Sequence, residues 1–455
     1  MSIYKFILKN VWLFASLIYT GIVLWYSNTP VFWDMYGQVK TAHFYLETNF
    51  TNLFPNGNGF TDNGYFPIYT LYLAACFKLF GFKLWVAHLS VLPFIIGLFY
   101  QLQHFCKRFL SDEKAALVLL LTLIHPVIAA QNIYFSSEIC FVFLSAWMLN
   151  TINDVRASRM VLSSTLLCLL NLRALPFIVL LFIYFVFIKK QKSAWYLVAA
   201  VLFSMVWIFI HFHISGWFFE NPENIGHRTL IDFNQMLKNF FWCMVKLTDY
   251  ANIVAIIFIV LFCFSHKKMS EPVVFVLLAA LSIFIFCVPL SNPIGNRYFL
   301  VVYVLMLPAF VLSISHYSLQ KIIVTCLIFV LFLVQSSWLT KPDKYGNAWD
   351  CTLKSLTYFD VRKELDTYVA ENQIAVKDVA AGFQLYFNDE FYLMNNSTKE
   401  YSLLSDTEMP QNLYVADSNI CNNYNPERKA YLEKNYSLIK SFTKGAVYVR
   451  LFKRK

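Results

Sequence analysis

The sequence predicts a mainly α, polytopic membrane protein of about 11 transmembrane helices, with outer interfacial helices and a small C-terminal α/β soluble domain. Three observations predict it. Hydrophobic residues fill 58% of the 455 positions and charged ones only 14%, where a soluble domain carries about 25% charged residues. Apolar runs close to the length of a bilayer crossing recur through the first three quarters of the chain. Past Leu339, from Lys341-Pro342-Asp343-Lys344 onward, the composition turns polar and charge-balanced.

The runs lie near 8–27, 84–105, 114–131, 138–152, 159–172, 174–188, 194–213, 250–265, 271–290, 298–315 and 320–338. Lys5 and Lys9 precede the first and no small-residue cleavage site follows it, so it reads as an uncleaved span. Asn171, Arg173 and Pro176 interrupt the short pair at 159–188. With the N-terminus cytoplasmic, the inner loops hold Lys107/Arg108/Lys114, Arg156/Arg159, Lys189/Lys190/Lys192, Lys267/Lys268 and Lys321, as the positive-inside rule requires. The net charge of +10 is therefore juxtamembrane and does not mark a nucleic-acid binder. Before residue 341 there are 21 Lys+Arg against 12 Asp+Glu, and from there on 16 against 15.

The outer segments are then 28–83, 131–138, the turn at 171–174, 214–249, 290–297 and the tail. In the first outer loop, 28–83, a turn-rich run Pro55-Asn56-Gly57-Asn58-Gly59 precedes the stretch Ile68 to Leu79. That stretch is too short to span and follows Pro67, so it reads as an interfacial helix, and 35–48 could form another. The domains are a transmembrane part, 1–339, and an extracytoplasmic soluble part, 340–455. In the latter, helices are expected over Asp360 to Asn372 and Pro426 to Lys434, and strands over Ala375 to Phe383, Leu413 to Ala416 and Lys444 to Phe452. Most of the ten cysteines fall in apolar runs, without CxxC spacing, and read as small buried residues. Cys351 and Cys421, in the polar tail, could pair.

Candidate chemistry gathers on the outer side. Asp34 sits in Phe32-Trp33-Asp34-Met35-Tyr36, just past the first span, where the aromatics read either as a ligand wall or as an interfacial belt. Glu138 follows Tyr134-Phe135-Ser136-Ser137, either as a second acid in the same cavity or as a carboxylate at a helix N-terminus. Arg297 precedes Tyr298 and a span. An outer arginine runs against the charge bias, which points to an anion such as phosphate, although arginines also snorkel at span ends. Arg173 is similar. No His or Cys cluster argues for a metal, while a divalent cation between Asp34 and Glu138 is compatible with their chemistry.

This set, in this topology, resembles the GT-C superfamily of integral membrane glycosyltransferases, in the branch of the protein O-mannosyltransferases and lipid A aminoarabinose transferases. In the resemblance Asp34 is the early loop carboxylate, Tyr65-Phe66-Pro67-Ile68-Tyr69 matches the family's proline segment, and Arg297-Tyr298 with Pro308 matches its late Arg-Tyr span. The sequence departs at Phe66, where relatives carry a basic residue, and at Glu138, where Asp is usual. The resemblance implies a glycosyltransferase moving a sugar from a polyprenyl-phosphate carrier to an extracytoplasmic lipid, glycan or protein acceptor. Asp34 and Glu138 would be catalytic, and Arg297, Tyr298, Arg173, Trp33, Tyr65 and Tyr69 would bind substrate. A lipid-linked sugar transporter or flippase is the rival reading, and an O-antigen-type polymerase with Glu220, Glu223, His227 and Arg228 in its later loop is another. A bacterial inner membrane is the expected location, with the active site outside the cytoplasm.

Overall fold

In a computed structural model of the chain, every apolar run named above is helical. The structure describes residues 3–455 except 56–59, 61, 63, 65, 153–156, 219–228, 267–268, 292–293, 340–348, 405–408 and 421–425. Tyr65, the glycine turn, Arg156, Lys267/Lys268, Pro293, the acidic group at 220–228, residues 341–344 and Cys421 with its expected pairing therefore lie outside the described residues.

The chain opens with α1 (Ile3–Lys9) and α2 (Val11–Trp25), then α3 (Met35–Glu47) and α4 (Pro67–Phe80) in the first loop. Pro67 starts α4 with its fixed φ, and Gly81 closes it at φ 90°, a conformation a side chain would strain. Next come α5 (Leu84–Leu89), α6 (Leu92–Lys107), α7 (Asp112–Leu123), α8 (Pro126–Ile133), α9 (Ser137–Thr151), α10 (Ala157–Cys168), α11 (Ala174–Ile183) and α12 (Leu197–Ser215). Helices α6 and α9 approach so closely at Gly97 that an added Cβ would lie 2.5 Å from the Phe143 ring. The helical part ends with α13 (Phe233–Thr248), α14 (Asn252–His266), α15 (Glu271–Cys287), α16 (Leu300–Ile314) and α17 (Leu319–Leu339).

The exposed faces of these helices are apolar, as at Leu202, Phe203 and Phe209 of α12, and they make the chain an integral membrane protein. Helix length and composition alone identify fewer clear spans than the eleven expected. Among the described residues, three helices are long and apolar enough to cross a bilayer: Leu84–Lys107, Lys192–Ser215 and Asn296–Ile314. Two bent pairs raise the number to five: α7 with α8, bent by 59°, and α13 with α14, bent by 86°. The first bend has a local cause, because Pro126 pushes His125 out of helical geometry. Val11–Trp25, Pro67–Phe80, Ala174–Ile188, Glu271–Cys287 and Leu319–Val334 are apolar but shorter. Helix α16 is buried along nearly all its length, packed by α7, α9, α14 and α15, and its first residues form the floor of the candidate site.

The C-terminal unit carries a five-stranded mixed sheet of order β2-β1-β3-β5-β4, built from β1 (Val379–Ala381), β2 (Ser402–Leu403), β3 (Tyr414–Ser418), β4 (Tyr436–Lys444) and β5 (Val447–Arg454). Helix Thr357–Glu371 packs on it, and Pro426–Asn435 leads into β4. The expected long first strand is only β1, because Val376–Asp378 turns as a 3-10 helix, and β2 and β4 were not expected from the sequence. Gly445, at φ 59°, closes the β4–β5 hairpin.

This unit seats on the first loop. The Val31 N–H donates to the Tyr392 carbonyl at 2.9 Å, and the Tyr36 ring stacks on Phe387 at 3.9 Å. Trp33, at φ 55°, donates its N–H to Gln384 Oε1 at 2.8 Å and meets Phe383 edge-on. Asp62, further along the loop, accepts from His211 Nε2 at 2.8 Å and from Ser215 Oγ at 3.2 Å, tying the loop to α12.

Candidate active site

Arg297 is the hub of a chain of charges at the start of α16. It stands in the short turn Asn296–Phe299, which feeds that helix. One guanidinium nitrogen, Nη2, donates to Asp34 Oδ2, and the other, Nη1, donates to Asp350 Oδ2. Two carboxylates distant in sequence thus share one arginine, and they differ in access. The Asp34 side chain is 37% exposed and that of Asp350 6%.

Tyr298 carries the chain onward. Its ring lies against Arg297, 5.2 Å from guanidinium carbon to centroid, and against Arg173 at 4.3 Å. Arg173 in turn donates through Nη2 to Glu138 Oε1, with both side chains buried. Glu138 lies in the first turn of α9, where the Ser136 hydroxyl accepts its N–H at 3.2 Å, as the helix-end reading expects. Arg173 Nη1 is buried and has no hydrogen-bond partner among the described residues. A guanidinium nitrogen left in that condition is costly unless a ligand oxygen supplies the missing acceptor.

The sequence brings Asp34, Glu138, Arg173, Arg297 and Tyr298 together as expected, whereas Trp33 and Tyr69 stand apart. The Trp33 ring faces the C-terminal unit rather than the open side. Tyr69 is buried behind the site, where its hydroxyl donates to the Phe135 carbonyl and braces the turn ahead of Glu138. Asp34 and Glu138 each face an arginine, and among the described residues no group of three or more His, Cys, Asp or Glu could hold a metal ion.

Three charged participants, Lys246, Asp249 and Asp350, were not read from the sequence. Lys246 is buried on α13, and its Nζ donates to Asn296 Oδ1 at 2.7 Å. Asn296 Nδ2 donates to Asp249 Oδ2 at 2.9 Å. A signal for Lys246 existed: Asn239, Cys243 and Lys246 follow helical spacing on one face, opposite the exposed Phe233, Leu237 and Phe241. Through Asn296, Lys246 stands next in the chain to Arg297.

Asp350 is the third. It comes from the turn Trp349–Cys351 at the start of the C-terminal unit, a turn gripped on both sides. Gln131 Nε2 donates to the Asp350 carbonyl at 2.7 Å and Tyr250 Oη to the Cys351 carbonyl at 3.4 Å. On the sheet side, Trp349 Nε1 donates to the Asn419 carbonyl at 3.0 Å. Burial pushes the Asp350 carboxyl above the usual carboxylate range. Arg297 draws it back and the Asp34 carboxylate pushes it up again.

No family model matches the chain, and no curated protein matches it by sequence. Among solved structures, ArnT from Cupriavidus metallidurans bound to undecaprenyl phosphate is similar with a TM-score of 0.54, at 11% identity, over 99% of this chain and 97% of that one. The same ArnT in the apo state gives 0.50 at 11% identity over 96% and 97%. The Archaeoglobus fulgidus oligosaccharyltransferase in the apo form gives 0.48 at 11% identity, over 88% and 65%. The likeness to ArnT runs through nearly the whole of both chains, so the chain shares the fold of that protein.

Proposed function

We propose that the protein is a glycosyltransferase that moves a sugar from a polyprenyl-phosphate carrier to an acceptor outside the cytoplasm, which is a lipid, a glycan or a protein. The observation that carries this reading is the charge chain itself: an accessible carboxylate, Asp34, on an arginine, joined through one aromatic ring to a second arginine with an unpartnered buried nitrogen. Such a site suits an anionic leaving group beside a hydroxyl to be deprotonated. The fold agrees, since the similar ArnT was solved with undecaprenyl phosphate bound.

In the reaction the acceptor oxygen attacks the anomeric carbon while the bond from that carbon to the phosphate oxygen breaks. Asp34 accepts the acceptor's proton, or orients an acceptor that is already anionic. Arg297, with Arg173 and Lys246 nearby, holds the electron pair leaving on the phosphate. Glu138 keeps Arg173 in place as the second acid of the site. Helix α4 and the apolar face of α13 border the route of the lipid tail, and the C-terminal unit covers the site as an extracytoplasmic domain. A bacterial inner membrane fits the carrier lipid.

Sugar transfer in detergent tests the proposal with Asp34→Asn and Arg297→Ala, because a transporter gives no product without a sealed compartment. Asp34→Asn is expected to lose transfer while still binding carrier. Wild-type rates for folded Asp34→Asn protein would remove Asp34 from the role of base.

A further inference from the structure

The glycosyl-transfer reading gives Arg297 a phosphate to hold, yet both of its outer nitrogens are already engaged. Around them three cations, Arg173, Lys246 and Arg297, meet four carboxylates, Asp34, Glu138, Asp249 and Asp350. An anionic lipid phosphate adds to this negative excess, so one carboxylate must give way before Arg297 can take it. The two on Arg297 are unequal. Asp34 precedes α3 on the accessible side, 37% exposed, and its neighbours tie down backbone rather than its carboxylate. Asp350 is 6% exposed, and its turn is fixed by Gln131, Tyr250 and Asn419 from three separate elements, with Cys351 Sγ donating to its second oxygen at 3.3 Å.

Resting on that reading, we propose that Asp350 is a positioning residue of a composite site: it keeps Arg297 by Nη1 while the carrier's phosphate replaces Asp34 on Nη2. The exchange links two events. Donor binding frees the Asp34 carboxylate from Arg297 at the moment when the acceptor's proton has to be taken. The proton passes from the acceptor hydroxyl to Asp34, the acceptor oxygen bonds to the anomeric carbon, the bond from that carbon to the phosphate oxygen breaks, and the phosphate leaves with the bonding pair on its oxygen, accepting from Arg297 Nη2. The C-terminal unit thereby contributes to the chemistry through one side chain.

The test compares carboxylate variants of the full chain in detergent by two readouts, binding of polyprenyl phosphate without sugar and steady-state transfer. If Asp34 is the competitor for Nη2, Asp34→Asn binds polyprenyl phosphate about tenfold more tightly than wild type. Asp350→Asn does not tighten it, because Arg297 then turns fully onto Asp34. In transfer, Asp350→Asn lowers kcat by about tenfold or more, and Asp350→Glu restores part of it.

The opposite ranking in binding, with Asp350→Asn tighter and Asp34→Asn unchanged, overturns the proposal. So does a loss in Asp350→Asn that only follows the folded fraction. Should Asp350→Asn not fold, Gln131→Leu, which loosens the turn carrying Asp350, must lower kcat in the same way. If wild type binds polyprenyl phosphate but transfers no sugar, the transfer reading fails, while the binding ranking still decides the exchange.

Discussion

The guanidinium of Arg173 lies 4.3 Å from the centroid of the Tyr298 ring, and this contact joins the two arginines of the site into one unit. Stacking of this kind is worth about 0.5–2 kcal/mol, more when water is excluded. Tyr298→Phe keeps the ring and should leave kcat/KM for the lipid donor within roughly threefold of wild type. Tyr298→Leu removes it and should cost roughly tenfold, seen mainly in KM. Donor titrations of the two variants decide the point, and equal losses would assign the effect to the hydroxyl instead.

Glu138 and Arg173 make a buried pair, and a buried pair broken from one side is expensive. Glu138→Gln leaves the Arg173 charge without its counter-ion and should destabilise the folded protein by about 3–5 kcal/mol. Replacing both, as in Glu138→Gln with Arg173→Met, should recover much of the stability while leaving transfer impaired. Thermal unfolding in detergent reads the first effect and the transfer assay the second.

Much of this arrangement was legible in the sequence because its signals are local. Apolar runs became helices, Pro67 opened α4, and the charge bias singled out Arg297 as an arginine on the wrong side. What was illegible depends on tertiary contact. Asp350 reaches Arg297 across 53 positions, and nothing in Trp349-Asp350-Cys351 announces that destination. Strand β4 was missed because most of its residues are exposed, so it lacks the alternation that marks a half-buried strand. The bends were illegible for a related reason: an apolar run reports burial in lipid or protein but not whether the helix breaks at His125-Pro126 or at Asp249.

The seat of the C-terminal unit can be loosened at a single acceptor. Gln384 Oε1 takes the N–H of Trp33, a residue whose φ of 55° already strains the backbone. Gln384→Leu leaves that buried N–H without an acceptor and should cost about 1–3 kcal/mol. Limited proteolysis of the full chain should release the C-terminal unit faster in Gln384→Leu than in wild type. Equal cleavage rates would show that the ring stack of Tyr36 on Phe387 holds the seat without it.

Asp389, in the turn beside α3, gives the seat a dependence on pH with a definite sign. Burial raises its carboxyl from the ordinary value of 3.8, Arg362 at 3.5 Å pulls it down, and Asp366 raises it again. Because the folded value lies above the unfolded one, its favourable contribution is full below pH 3.8 and is lost as pH rises through the shifted value. At neutral pH the ionised carboxylate is therefore a cost, and Asp389→Asn, which mimics the protonated form, should be the more stable protein. The advantage should shrink as the pH is lowered toward 3.8. Melting temperatures of the two proteins across that range test the sign. A variant less stable at neutral pH and equal in acid would mean that the ion pair with Arg362 outweighs the burial of the charge.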